Sequence, residues 1–449
     1  MTESCEALEA RLDDFDPAVR RAALDALLAL AERGDVELPE QGRAFNMHCH
    51  SFFSYNGYGY SPTALAWKGR RAGLCAMGLV DFDVLDGVGE FLEACRAAGL
   101  RACAGMETRV FVPEFADRVI NSPGEPGVSY HMGAGFTGGE MVQTETLDRL
   151  KDIAQQRNRG MVDRINPHLA PVALDYDADV VPLTPKGNPT ERHVCIAYDR
   201  KSQALYPEAD ERARFWSERL GIAPGKIIEV LADAPVFQGL IRSKTMKAGG
   251  VGYVVPEGPD FPSVEDVNAL AVANGGVPTF TFLDGTSEGE QAMDELLDTM
   301  MAAGAAAANI IPDRNWNIQD PETKKVKVAK LNAFAENARA RGLPLLVGTE
   351  MNAYGQRFVD DFEAPELAPL HALFLEGAHI FHAHTMLQAG AGMGYVGGWA
   401  GRHFGTVKAK NAFFTSLGAA VLAPPPGVFE TLAPDPAPDA VAAALGARA

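Results

Sequence analysis

The sequence has no C-x-x-C pair and no regular cysteine spacing. Its six cysteines, Cys5, Cys49, Cys75, Cys95, Cys103 and Cys195, are scattered over 449 residues. Such spacing is no disulfide framework, and the thiols read as reduced, cytoplasmic and mostly buried. Positive charge is also short. Forty Lys and Arg against 59 Asp and Glu leave a net charge of −19, which excludes nucleic-acid or anionic-membrane binding by bulk electrostatics but leaves room for a local basic pocket. No apolar run reaches the roughly 18 residues of a membrane span. The acidic, amphipathic start MTESCEALEARLDDFD lacks the basic and apolar regions of a secretory leader. Histidine is scarce at ten residues, yet His48 and His50 stand one residue apart in AFNMHCHSFFSYNGYGYSP.

What is present reads as an ordinary globular chain, 47% hydrophobic and 22% charged, long enough for two or three domains or for one large barrel with additions. Residues 3–33 pattern as two short amphipathic helices, with Asp16 and Pro17 marking the second start. From about residue 44, short apolar runs alternate with helical stretches. The candidate strands are RAFNMH, LCAMGLVDFD, RACAGMETRVFV, VSYHMG, GVPTFTFL, AAANIIP, LPLLVGTE and GAHIFHAH. That alternation predicts an α/β fold with a mostly parallel sheet, and so many units favour a closed or nearly closed barrel. The tail APPPGVFETLAPDPAPDA is proline-rich and predicted to be extended or disordered.

Acidic and imidazole residues end one apolar run after another: MHCH, LVDFD, GMET, SYHM, TFLD and LVGTE. A single carboxylate there is usually a cap for the next helix. A succession that includes His48 and His50, on one face of a strand by the two-residue period, points instead to a divalent metal such as zinc, manganese or iron. Strand C-termini are where barrels carry their chemistry.

In that order the motifs resemble the PHP (polymerase and histidinol phosphatase) superfamily over about residues 44–360. HCHSFFS is similar to its HxHSxxS opening, LVDFDVLDG to TDHDxxxG, AGMET to the GxE strand end, NPTERHVCIAY to the GRPHIA helix start, KAGGVGYV with VANGGVPTFTF to two later glycine segments, and VGTEMNA to the closing GSDFHG. The resemblance implies a distorted (β/α)7-type TIM-like barrel, with an N-terminal helical extension over 1–43. The barrel would span 44–390 with insertions at about 108–270, followed by a helical, proline-rich tail over 391–449. It implies a metal-dependent phosphoesterase acting on an anionic phosphate ester. The implied metal ligands are His48, His50, Glu107, His131 and Glu350, with His193 touching metal or substrate. Glu107 would bridge two metals.

The departures matter as much. Phe82 stands for the DH histidine, Phe282 for the HP histidine, Asn352 for the final histidine, and Tyr55 or Asn56 for another ligand. One metal site of three is thereby dismantled, leaving one or two ions. Asp284, two residues past Phe282, is either a replacement ligand or a helix cap. Asp81 and Asp83 are outer hydrogen-bond partners of the ligands or caps, with Asp81 also a candidate in catalysis. Asn188 and Pro189 predict a helix start that puts Arg192 and His193 in its first turn as anion contacts, and Arg109 is an anion clamp or an ion-pair partner. His379, His382 and His384 fall beyond the last motif and read as structural. A non-phosphate hydrolase or lyase and a catalytically silent metal-binding barrel are the alternatives. Homo-oligomer formation stays open.

Overall fold

The computed structural model describes residues 4–139, 141–255 and 260–447. The chain divides into two compact units, one made of residues 52–55 and 148–256 and the other of the remainder.

The larger unit is built on seven strands: β1 (Phe45–Cys49), β2 (Ala76–Phe82), β3 (Arg101–Phe111), β4 (Val128–Ala134), β5 (Val277–Phe282), β6 (Ala307–Ile310) and β7 (Leu345–Val347). They lie side by side in chain order. Beyond β7 the backbone of Glu350 meets β1, with His50 N donating to Glu350 O and Glu350 N to His48 O, each at 2.8 Å. The ring of strands closes there. Gly348 permits it: a Cβ at this position would lie 2.3 Å from both Asn46 Oδ1 and His48 N. The Asn46 amide ties the seam by donating to Thr349 Oγ1 at 2.8 Å and to Phe358 O at 2.7 Å. Strands β1 and β5 are buried along their whole length, as expected for strands covered on both faces, and this is why they read as near-continuous apolar runs.

All pairings are parallel except those of β4, which runs antiparallel to β3 and β5. Residues 112–127 between β3 and β4 hold one 3-10 turn, Pro113–Phe115, and no crossover helix. A parallel return needs such a crossover. Two further expectations are corrected. GAHIFHAH is no strand but the middle of the helix His371–Ala391. That helix lies between the barrel, where Gly377 abuts Leu345 O, and the helix Val407–Ala420, where Gly418 abuts His379 O. Its middle, residues 380–387, is buried on every side, which is why that stretch shows no amphipathic period. The proline-rich tail is not extended throughout: it forms a 3-10 turn, Val428–Thr431, and a helix, Pro438–Ala444, with proline in its first turn.

The two N-terminal helices are Cys5–Arg11 and Pro17–Glu32. Trp67 Nε1 donates to Glu9 Oε1 at 2.7 Å, and the buried Arg20 pairs with Glu90. The smaller unit is helical, with a core of its own that includes Ile165, Val194, Tyr198, Trp216 and Phe237. No helix of the described residues is long and apolar enough to cross a membrane.

Candidate metal centre

His48 and His50 alternate around Cys49 at the end of β1, and both imidazoles are fully buried. Glu107 reaches the same place from the middle of β3, with Phe82 of β2 beside it in register. The three polar atoms form a nearly equilateral triangle. His48 Nε2 and His50 Nε2 are 3.3 Å apart, and Glu107 Oε2 is 3.3 Å from the first and 3.2 Å from the second. Bonds of about 2.0–2.1 Å to one tetrahedral ion give ligand–ligand edges of about 3.3 Å, so the triangle has the size of one face of such a site. Glu107 Oε2 and His48 Nδ1 are buried without a hydrogen-bond partner. Burial alone would push the Glu107 carboxyl up, but the two imidazoles beside it hold it down at about 2. A charged, dry oxygen facing two imidazole nitrogens fits a cation. Among the described residues these three form the one His/Cys/Asp/Glu group whose ligand atoms all lie within 4.8 Å of one another.

Neighbouring residues shape this cluster. The Phe82 ring stacks on His50 with centroids 4.1 Å apart. Asp81 accepts from Ser51 N at 2.7 Å and from Ser51 Oγ at 2.6 Å, which fixes the chain as it leaves His50. Asn56 donates to His50 O at 2.8 Å. Asp83, at φ 58°, accepts from Thr108 Oγ1 at 2.6 Å, and burial pushes its carboxyl up to about 6.

Other expected ligands are placed elsewhere. His131 of β4 pairs with Thr108, not with Glu107. Adjacent strand residues face opposite ways, so His131 looks away from Glu107, and its Nε2 meets Asn268 Oδ1 at 2.5 Å. Burial lowers its pKa to about 4, leaving a neutral ring. Asp284 behaves as a cap. It accepts from Thr286 N and Oγ1 and pairs with Lys327 Nζ at 2.8 Å. Phe282, on the same parity, stacks on Phe334 of the helix Pro321–Arg341, outside the barrel.

Glu350 is buried beside β1 but bonded to other groups. Arg314 Nη2 donates to its two oxygens at 3.1 and 2.9 Å, and Gln356 Nε2 to Oε2 at 3.1 Å. Glu350 and Met351 both hold positive φ, 63° and 55°, a conformation that costs non-glycine residues about 1–3 kcal/mol each and clusters at functional sites.

In the smaller unit the helix Glu191–Leu205 is capped by Thr190, two residues later than the Asn188–Pro189 signal suggests. The side chain of Asn188 is instead bonded to Gln155. His193 closes the capping box, its Nδ1 accepting from Thr190 N at 3.0 Å. Burial, with Arg200 adding to it, lowers His193 to about 3, and the proton of the neutral ring sits on Nε2. Arg192 lies over the Tyr55 ring at 5.6 Å. Arg109, on the barrel, is an ion-pair partner: its Nη1 donates to both oxygens of Glu125, at 3.0 and 2.7 Å.

Sequence reasoning passed over Arg314 and Gln356. Arg314 follows the apolar run that ends at Ile311, a strand-end position like those of the acidic residues, but only acids and imidazoles are sought when the question is metal ligation.

No protein-family model matches the chain. A curated relative, an error-prone DNA polymerase of Cutibacterium acnes, is 35% identical over 78 residues, 17% of this chain and 7% of that protein. The chain thus spans a small fraction of that relative's length. Among solved structures, a "putative metal-dependent phosphoesterase" of Bifidobacterium adolescentis aligns over 74% of this chain and 97% of its own at 19% identity and a TM-score of 0.45. An amidohydrolase of Chromobacterium violaceum, with bound sulfate and no metal, aligns over 75% and 96% at 17% identity and a TM-score of 0.49. In its motif order, and in the HxH and GxE strand ends that meet in one buried cluster, the chain resembles the PHP superfamily.

Proposed function

We propose that this protein is a metal-dependent hydrolase whose divalent ion is held by His48, His50 and Glu107. The observation that carries the reading is the buried triangle of two imidazole nitrogens and a partnerless carboxylate oxygen. An ion bound there supplies a water of lowered pKa and a Lewis acid. The chain's own part is to hold the ligands in a dry pocket. Phe82 fixes the ring plane of His50, Asp81 holds the loop through Ser51, and Asn56 braces the His50 carbonyl. Asp81 is thereby a positioning residue in this reading. One ion per chain suits the geometry better than two, since His131 and Asp284 have other partners.

The substrate class we favour is a small anionic phosphate ester, which the resemblance implies. Arg192 and His193, at a helix start in the smaller unit, are anion contacts that the resemblance implies. The six unpaired cysteines, five of them buried, suit a cytoplasmic setting. The test is elemental analysis of purified protein, followed by a panel of phosphomono-, di- and triesters beside carboxylic esters and amides. Metal at one ion per chain with turnover of a phosphate ester supports the reading. Metal with turnover of amides alone moves it to the non-phosphate alternative, and metal without any turnover leaves a binding barrel.

A further inference from the structure

Three features place a second functional group beside the proposed metal centre. Glu350 is nearly inaccessible, its side chain 4% exposed, whereas Arg314, bonded to it, is 43% exposed. Both Glu350 oxygens are taken by Arg314 Nη2, and Oε2 also by Gln356, and Glu350 lies outside the close group of ligand atoms. Finally, Arg314 spends only Nη2 on hydrogen bonds among the described residues, so its Nη1 and Nε donors stay available on an open side.

The positions agree. Arg314 follows β6, Glu350 follows β7, and His48 and His50 end β1, three neighbouring strands whose C-terminal ends share one mouth. Glu107 and Tyr130 are the other groups that act on the Arg314 charge, so the guanidinium stands within electrostatic reach of the ligand Glu107. Two other cations of the larger unit are committed, Arg109 to Glu125 and Lys327 to Asp284.

We infer that Arg314 is the residue that binds the substrate's phosphoryl oxygens, and that Glu350 is its anchor rather than a ligand of the metal. The inference rests on the hydrolase reading and adds the recognition group to it. A guanidinium is planar and always charged, and its Nη1 and Nε donors, which lie on different edges, each offer a charge-assisted hydrogen bond to a phosphoryl oxygen. Anchored on a buried carboxylate, it is held in place before the anion arrives, which reduces the ordering that binding requires.

Inorganic phosphate is the probe, titrated calorimetrically into full-length, metal-loaded protein. Arg314→Gln is expected to keep the wild-type metal content and to weaken phosphate binding by about ten- to a hundredfold, the worth of charge-assisted hydrogen bonds. Arg314→Lys should recover part of that loss. Glu350→Gln should keep its metal while binding phosphate less tightly, because the guanidinium is no longer anchored. Unchanged phosphate affinity in metal-loaded Arg314→Gln overturns the inference alone. Metal loss in Glu350→Gln, as deep as in His48→Ala, makes Glu350 a ligand and overturns its anchoring role. A wild type that takes up no metal overturns the hydrolase reading itself.

Discussion

The ring of Phe82 lies 21° from parallel on the imidazole of His50. A residue that cannot bind metal therefore occupies the position where the PHP motif carries a histidine, and it packs directly on one of the proposed ligands. The ring walls one side of that imidazole.

The first expectation concerns metal number. With Phe82 and Phe282 in place of imidazoles, and with Asp284 and Glu350 bonded to Lys327 and Arg314, purified protein should hold about one tightly bound divalent ion. Inductively coupled plasma analysis that finds three stoichiometric ions would contradict the ligand set.

His48→Ala and Glu107→Ala each remove a corner of the triangle. Both should lose bound metal, and turnover should drop by several orders of magnitude. Added metal should raise the melting temperature of the wild type and leave both variants unmoved, since a ligand stabilises only the state that binds it. Equal metal-induced shifts in all three proteins would place the ion elsewhere.

Acid should destabilise the fold before carboxylates are fully protonated. Burial holds His382 and His384 neutral, each lowered to about 4, and His193 lowered to about 3. In the unfolded chain these rings take up a proton near pH 6.5 and in the fold they do not. The stability they contribute is present above pH 6.5 and is lost as pH falls toward 4, at about 1.4 kcal/mol per pH unit for each ring. The buried carboxyls of Asp83, Asp360 and Glu290, raised to about 6, 7 and 7, take up protons in the fold over the same range and oppose this loss, so the test is a comparison of urea midpoints from pH 7 to pH 5. His382→Gln, if it folds, should lose less stability over that range than the wild type, and parallel profiles would refute the assignment.

Two glycines should respond in opposite ways. Gly348→Ala puts a methyl group against Asn46 and the His48 amide at the barrel seam, and should cost about 1–3 kcal/mol or more. Gly89, in the helix Val88–Ala98, has open space around it, and Gly89→Ala should stabilise by about 0.5–1 kcal/mol. Denaturant unfolding of both variants checks the pair.

Much of the centre was legible in the sequence because strand parity and run ends carry it: His48, His50 and Glu107 follow from two-residue spacing and from acids that close apolar runs. Parity without register misleads. Phe282 faces Phe334, and Asp284, beyond the end of β5, pairs with Lys327 of the same helix. The His131 side is fixed by its pairing with Thr108, which depends on β4 running backwards, and no local pattern announces that reversal. The helix around His382 was misread for a related reason. Apolar residues on every side of a helix have no period, so a covered helix and a buried strand look alike over eight residues.

The closing bridge at Glu350 has a consequence for the order in which the protein is made. All three proposed ligands lie between the start of β1 and the end of β3, ahead of the other four strands. Arg314 is translated after the residues of the helical unit and β4 to β6, and the seam residue Glu350 after β7 as well. On the ribosome, the ligand residues exist long before the chain that shuts the ring around them and supplies the proposed anion-binding pair.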